Sequence, residues 1–358
     1  MLAFGCLSAR AADGTLEAQL IMSRFFTRCS ISVLLTSTFV LLAANHLFAQ
    51  YTLTSLVTTS ADPNLVNAWG MAYTSGGPFW IADNGTGKST VYDATGSIVP
   101  LVVTVPAAKG PKGSPTGLVA NSTSGFVIAQ DGVSGPASFI FATMDGTISG
   151  WNSSVNASSA VIAVNNHATA NYTGLTIATV GSNTFLYAAN SATNLIEVYD
   201  SNFHLTKTFG DSTLTGLTVY GVQAIKGKIY VTFKGSSGGA VDIFSTGGKL
   251  IKLLTKNGSG GPVLAPWGVA LAPSNFGPFS GDLLVGNVNN GKINAINLTT
   301  GKVAGQLKDT TGKVIAVPGL WALLFGGGST ANNGNTDQLF FAAGTNNYGT
   351  GEFGVINP

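Results

Sequence analysis

The side chains best suited to hold a ligand are carboxylates and amides that follow short apolar segments of the chain. A hard cation such as Ca²⁺ takes oxygen ligands of this kind, and a small molecule, glycan or peptide needs polar groups that fix its orientation. Three tryptophans recur in a second pattern and would add aromatic surface to such a site. The candidate binding residues are Asp83, Asn84, Gln130, Asp131, Asn190, Lys234, Asn287, Asn289, Trp69, Trp267 and Trp321.

The same residues have a second interpretation as turn and core residues. The Asp-Asn-Gly sequence at residues 83–85 is a common hairpin signal, because Asn and Gly tolerate positive φ angles. Large aromatic side chains often act as core wedges between packed sheets. Both interpretations stay open at the level of the sequence.

Side chains suited to catalysis are scarce beyond residue 50. His167 and His204 fall in predicted loops without a partner nearby in sequence, and Glu197 falls on a predicted strand. Neither a His-based metal spacing nor a serine-nucleophile turn is present. Asp83 and Asp131 are the carboxylates that could hold a metal ion such as Ca²⁺. A metal-dependent hydrolase or lyase of the lactonase kind is therefore the alternative function.

Six copies of one sequence pattern position these residues. Each copy begins with a turn and an apolar strand whose second residue is Gly, or Ala322 in the last copy, and these second residues are separated by 47, 57, 47, 47 and 54 residues. A period of about 40–50 residues is typical of the four-stranded blades of a β-propeller. The first strands are predicted at 69–72, 116–119, 173–176, 220–223, 267–270 and 321–323.

Two more strands follow in every copy, because β-branched and aromatic runs recur between turn residues. The copies begin near residues 67, 114, 171, 218, 265 and 318. Since the first strand of a blade lines the central channel, the loops after the second strands should converge on one polar mouth. The predicted second strands are 79–82, 126–129, 185–188, 229–232, 283–286 and 339–342, and the third strands are 90–93, 147–151, 196–200, 240–244, 293–297 and 353–357.

The sixth copy ends after its third strand, and a spare strand precedes the first copy at residues 51–57. We expect this N-terminal strand to complete the last blade, which would close the ring and leave no unpaired blade at the seam. The predicted fold is thus an all-β, six-bladed β-propeller over residues 50–358.

The first 49 residues carry the features of a targeting signal. The apolar run 31–42 follows Arg24 and Arg28 and precedes a small residue at Ala49, which predicts a signal peptide over 22–49 and an upstream extension over 1–21. The run is short for a membrane span, so we expect an exported, periplasmic or extracellular protein with no span in its mature form. Both cysteines, Cys6 and Cys29, precede the predicted cleavage point.

The charge distribution argues against a nucleic-acid partner. The formal net charge is +2, and no arginine occurs beyond residue 28, so the mature chain has no guanidinium group to clamp phosphates. The expected partner is a small molecule, a glycan or a protein, and we expect the chain to be a monomer.

Several long motifs resemble those of an uncharacterised family of exported bacterial proteins related to NHL-repeat propellers. The motifs are residues 62–72, 79–87, 145–151, 265–273, 281–287 and 319–323, and the likeness extends over about 51–358. The segment 287–291 departs from the family pattern, which has an aromatic residue, a Gly and an Asp there, and so lacks a carboxylate. The resemblance implies the fold and export, and implies no activity.

Taken together, the polar loops and the scarcity of His, Cys, Arg and Glu favour a non-catalytic binding module. It would bind a ligand or a protein through the polar face around its channel.

Overall fold

The computed structural model describes residues 51–110, 112–236, 238–257 and 262–358. The predicted extension and signal peptide, residues 1–49, lie outside the described residues. Within this part of the chain the regular elements are β-strands, apart from one short 3₁₀ turn at Gly277–Phe279. None of its helices is long and apolar enough to cross a membrane.

The strands follow one another at short intervals along the chain. The first half contains β1 (Thr52–Thr58), β2 (Ala68–Ala72), β3 (Phe79–Asp83), β4 (Lys88–Tyr92), β5 (Ile98–Thr104), β6 (Pro115–Ala120), β7 (Val127–Gln130), β8 (Val133–Pro136), β9 (Phe139–Thr143), β10 (Thr147–Trp151), β11 (Val161–Asn165), β12 (Tyr172–Val180) and β13 (Asn183–Asn190). The second half contains β14 (Leu195–Tyr199), β15 (Leu205–Phe209), β16 (Thr218–Ile225), β17 (Lys228–Lys234), β18 (Gly239–Ser245), β19 (Leu250–Asn257), β20 (Pro266–Leu271), β21 (Leu283–Asn287), β22 (Ile293–Ile296), β23 (Val303–Gln306), β24 (Leu320–Phe325), β25 (Leu339–Thr345) and β26 (Thr350–Asn357).

These strands form six four-stranded antiparallel blades, which confirms the predicted six-bladed propeller. Blade 1 is β2-β3-β4-β5, blade 2 is β6-β9-β10-β11, blade 3 is β12-β13-β14-β15, blade 4 is β16-β17-β18-β19 and blade 5 is β20-β21-β22-β23. Blade 6 has the order β24-β25-β26-β1, so its outer strand comes from the N-terminal side of the propeller. β1 pairs with β26 from Thr52 opposite Asn357 to Thr58 opposite Glu352. The predicted ring closure is therefore confirmed.

Blade 2 differs from the prediction in its second strand. The predicted strand 126–129 overlaps β7, which pairs with β8 in a separate hairpin, and the second strand of the blade is β9. A middle strand lies between neighbouring blades, so both of its faces must be apolar, and β9 is buried at every position. In β7, Val127 and Ala129 are exposed, so only one of its faces is covered.

The repeated glycines allow the inner strands of adjacent blades to approach one another closely. A Cβ atom on Gly70 would lie 2.4 Å from the carbonyl oxygen of Thr116, and one on Gly268 would lie 2.4 Å from that of Trp321. A Cβ on Gly117 would lie 2.1 Å from the backbone nitrogen of Leu175. The spacing that reveals the repeat therefore reflects backbone packing around the channel.

Large apolar side chains fill the space between neighbouring blades. Between blades 6 and 1, the ring of Phe79 packs against Phe340 at 4.4 Å and against Phe353 at 5.3 Å. Between blades 1 and 2, Trp80 stacks on Phe139 at 4.1 Å. Burial of each such side chain stabilises the fold by roughly 1.5–3 kcal/mol, so the blades hold one another in place and fix the loops on the channel faces.

Candidate functional site

Four aromatic rings close the channel at the face where the inner strands begin. Trp69 stacks on Trp321 with ring centroids 3.6 Å apart, and Trp267 meets both rings edge-on at 6.1 Å. Tyr220 packs edge-on against Trp69 at 6.4 Å and against Trp321 at 5.7 Å. We call these four side chains the aromatic plug. The three predicted tryptophans come together on the channel axis, and Tyr220, which we did not predict, completes the set.

Hydrogen bonds fix the orientation of the plug. The Trp267 indole nitrogen donates to the carbonyl oxygen of Thr173 in blade 3, at 2.7 Å. The Trp321 indole nitrogen donates to the side-chain oxygen of Asn67 at 3.0 Å. Asn67 donates in turn to Asn84, which donates to the carbonyl oxygen of Pro115. Asn84 is thus part of the support of the plug.

Lys234 adds a cation beside the plug. Its ammonium nitrogen lies 3.8 Å from the centroid of the Tyr220 ring, a cation–π contact. Burial lowers the pKa of Lys234 from its ordinary value, because the charged form loses water contacts. This predicted residue lies at the axis, on the face that carries the plug.

Two other predicted residues, Asn190 and Asn287, are buried at the ends of second strands, where they hold connecting loops. Asn190 accepts a hydrogen bond from the backbone of Asn171 and donates to Glu197. Asn287 accepts from the backbone of Leu264 and donates to the carbonyl oxygen of Pro262. Since both amides are engaged in this way, the structure favours the turn-and-core interpretation for them.

Asp83 occupies the same place in blade 1 and is fully buried. Burial raises the pKa of Asp83 well above its usual range, and Asp62 adds to the rise, while Thr90 beside it lowers the pKa in part. Metal ligands must be deprotonated, so burial disfavours this carboxyl as an ion ligand. Among residues 51–358 as far as they are described, no group of three or more His, Cys, Asp and Glu side chains is placed to hold a metal ion.

Gln130 and Asp131 do not lie at the end of a second strand, because the second strand of blade 2 is β9 and not residues 126–129. They form the end of the β7–β8 hairpin, which packs beside β10 and β11. The Gln130 side chain accepts a hydrogen bond from Asn156, and Asp131 is exposed in the turn with a φ of 52°. The polar mouth inferred from the sequence therefore does not include these two residues, and Thr143 ends the true second strand of blade 2.

A polar depression of about 320 Å³ lies on the plug face between blades 5 and 6. Asn289 and Asn347 are exposed there, and the Tyr348 ring is 44% exposed. The centroid of the Tyr348 ring lies 5.7 Å from that of the Trp321 ring in the plug. We call this the seam pocket; its lining residues are Val288, Asn289, Asn290, Pro318, Gly319, Gly344, Asn347 and Tyr348.

The turn that carries Tyr348 has an unusual backbone. Asn346, Asn347 and Tyr348 have φ angles of 51°, 53° and 66°, three consecutive residues in the left-handed region. For a bulky residue such as Tyr this conformation costs about 1–3 kcal/mol and persists only where the surroundings enforce it, most often at functional sites. The sequence placed Asn289 at this mouth, but nothing in it indicated that Asn347 and Tyr348 lie beside Asn289.

The described histidines lie in the loops on either side of β12–β14, whereas this pocket is formed by blades 5 and 6. His167 is exposed next to Asn165, and His204 is exposed in a turn where its ring lies 3.5 Å from the Asp200 carboxylate. Glu197 is buried and accepts hydrogen bonds from the hydroxyl groups of Tyr172 and Tyr199. These groups belong to surface turns and to the core of blade 3.

Comparisons of sequence identify relatives without a described activity. Two uncharacterised proteins of Acanthamoeba polyphaga mimivirus are 26% and 28% identical to this chain over 291 and 284 residues. The alignments cover 75% and 73% of this chain and 75% and 69% of the relatives. No protein-family model matches the chain. The resemblance to exported bacterial proteins stays a prediction.

Comparisons of structure identify solved proteins with a similar fold. A streptogramin B lyase has a TM-score of 0.53 and 12% identity, covering 86% of this chain and 97% of the lyase. A glucose dehydrogenase has the same TM-score and identity, with coverage of 86% and 99%. A luciferin-regenerating enzyme has a TM-score of 0.51 and 11% identity, with coverage of 82% and 92%. The functions of these neighbours differ, and at such identities the likeness shows the fold alone.

Proposed function

We propose that this propeller is a binding module whose ligand lies in the seam pocket on the plug face. The observation that carries the proposal is the exposed Tyr348 ring, which a left-handed turn holds beside two exposed amides. Backbone strain of this kind persists where the surrounding structure enforces it, and ligand sites are among the places where it is concentrated. The predicted export would bring the module into contact with ligands outside the cytoplasm.

The lining favours a neutral, hydroxyl-rich ligand such as a sugar ring. An amide group both donates and accepts hydrogen bonds, as a hydroxyl group does, so Asn289 and Asn347 can pair with hydroxyls in either sense. The Tyr348 ring offers an apolar face with a polar edge. No Asp, Glu, Lys or Arg is among the described lining residues, so the pocket offers no charge to hold an ion. Its volume of about 320 Å³ is near the lower end of the ~300–1,000 Å³ range of small-molecule pockets.

The proposal is tested by titrating residues 50–358 with the methyl glycosides of glucose, galactose, mannose and N-acetylglucosamine in a calorimeter. We expect at least one to bind, and Tyr348→Ala to weaken its binding at least about tenfold, which corresponds to ~1.4 kcal/mol. Tyr348→Phe should retain most of the affinity, because the ring face is kept. Asn347→Ala should weaken binding, since it removes a donor and an acceptor.

The matched control is Asn183→Ala, which removes an exposed amide at the start of β13 in blade 3. This variant should bind like the unaltered chain. The proposal is wrong if none of the glycosides binds at millimolar concentration, or if Tyr348→Ala binds as tightly as the unaltered chain. Repeating the titration with Ca²⁺ and with EDTA tests the metal-dependent alternative, for which the described residues offer no donor cluster.

A further inference from the structure

The opposite end of the channel contains a second pocket of different chemistry. It has a volume of about 240 Å³ and lies where the inner strands end. Most of its lining side chains are apolar, while polar atoms supply nearly half of the lining surface that a ligand can reach; the lining comes from five of the six inner strands, and the residues that matter here are Met71, Leu118, Ala120, Leu175, Gln223 and Ala224. We call it the channel pocket.

The channel pocket is closed at its inner end. It continues into a constriction of about 30 Å³ that shares Met71, Leu118 and Leu175 with it and has Trp267 in its wall. The apolar residue after each repeated Gly, or after Ala322, lines this constriction. These residues are Met71, Leu118, Leu175, Val222, Val269 and Leu323. Beyond them the aromatic plug fills the axis, so the channel pocket opens only at the face opposite the seam pocket.

One polar side chain in the lining is available to a ligand. Gln223 is partly exposed in β16, and its amide has no hydrogen-bond partner among the described residues. The other polar groups of the lining are engaged: Thr176 accepts a hydrogen bond from the backbone of Ala224, and Tyr73 donates to the carbonyl oxygen of Phe325. A bound molecule would therefore meet mainly apolar side chains, the backbone polar groups between them and one free side-chain amide.

We propose that the channel pocket binds a small, flat apolar molecule with a single hydrogen-bonding group. An apolar cavity of about 150 Å³ is large enough for benzene, so 240 Å³ accommodates a fused pair of aromatic rings. The closed inner end prevents a polypeptide segment from passing through the channel. The Gln223 amide pairs with the hydroxyl or carbonyl group of the ligand and fixes its orientation.

The test uses naphthalene and 2-naphthol as probes, with binding to residues 50–358 measured by saturation-transfer NMR. Both probes should bind, and 2-naphthol should bind more tightly because it alone can pair with Gln223. Gln223→Leu should weaken 2-naphthol binding about fivefold and leave naphthalene binding undiminished, as expected for the loss of one hydrogen bond. This difference between the probes separates a direct contact from a general change in the pocket.

Two substitutions fill the pocket from different strands, Ala120→Phe in β6 and Ala224→Phe in β16. Each should abolish the binding of both probes while thermal unfolding stays cooperative. The control is Ala129→Phe, the same substitution at an exposed position of the β7–β8 hairpin, which should bind both probes normally. The proposal is overturned if neither probe binds, or if both filled variants fold and still bind. Glycoside binding at the seam pocket is a separate measurement and can succeed or fail independently.

Discussion

Gly117→Ala should be among the most destabilising single-methyl additions in this protein. The new Cβ would lie 2.1 Å from the backbone nitrogen of Leu175, 2.6 Å from its Cβ and 2.7 Å from the carbonyl carbon of Gly174. Two of these three atoms are backbone, so a side-chain rotation cannot relieve the contact, and the inner strands of blades 2 and 3 must separate by about 1 Å. Overpacking of a tight core costs typically about 1–3 kcal/mol, and we expect the upper end of that range.

Gly174→Ala provides the matched comparison, because Gly174 has the same place in blade 3. Its Cβ would lie 3.2 Å from the backbone nitrogen of Val222 and 3.3 Å from its other near neighbours, so a shift of a few tenths of an ångström suffices. Neither glycine has a positive φ angle, so alanine is compatible with the backbone at both sites. Alanine also lowers the entropy of the unfolded chain, worth about 0.4–1 kcal/mol, and the net change should be within about 1 kcal/mol.

Thermal unfolding followed by circular dichroism distinguishes the two variants. At roughly 2–4 °C per kcal/mol, Gly117→Ala should lower Tm by about 6–12 °C, while Gly174→Ala should change it by less than about 4 °C. Neither residue is among the described lining of the two pockets, so ligand binding does not complicate the result. Equal changes in Tm would refute the argument that backbone contact between blades explains the repeated glycine.

Three further predictions follow from the core and the closure of the ring. Burial and the nearby Asp211 raise the pKa of Asp242 to about 7, so the folded chain holds a proton that the unfolded chain loses near pH 4, and stability should fall by about 1–2 kcal/mol as the pH rises from 5 to 8. Asp242→Asn should remove the part of this dependence that Asp242 contributes, leaving the part that comes from the buried Asp83, in unfolding measured at both pH values; Asp131→Asn, at an exposed position, is the control. Deleting residues 51–58 should abolish cooperative unfolding, because it leaves β26 as an unpaired edge; intact cooperativity would show that the closure contributes little. Replacing residues 127–136 by a short Gly-Ser linker should lower Tm by only a few degrees, because this hairpin lies outside the four-stranded blade, and a collapse of the fold would contradict its peripheral placement.

The repeat could be found from the sequence because its cause is local and recurs in the first five blades. Close packing around the channel leaves no room for a Cβ atom at Gly70, Gly117, Gly221 and Gly268 and little at Gly174, and the result is a glycine every 47–57 residues. Ring closure was also predictable, since a spare strand and a missing strand stood at opposite ends of the repeat. The second strand of blade 2 could not be predicted, because residues 126–129 and 139–142 are both apolar runs of strand length. Only burial from both sides by neighbouring blades distinguishes them.

The candidate site depended more heavily on tertiary structure. The sequence placed the polar loops and the three tryptophans on one face, because each occupies a fixed place in a repeat, although the loop with Gln130 and Asp131 lies elsewhere. It did not determine that Trp69, Trp267 and Trp321 fill the axis together, since their separation in sequence says nothing about the width of the bore. Nor did it distinguish Asn190 and Asn287, whose amides hold buried loops, from Asn289, whose amide is exposed in the seam pocket.

The sequence by itself therefore determined the number of blades, their order and the closure of the ring, because backbone packing imposes the same residue types on successive blades. Tertiary structure alone decided which polar residues remain available to a ligand. Whether an amide is engaged or free depends on which loop of a neighbouring blade reaches it. That contact joins residues far apart in the chain, and no periodic pattern records it.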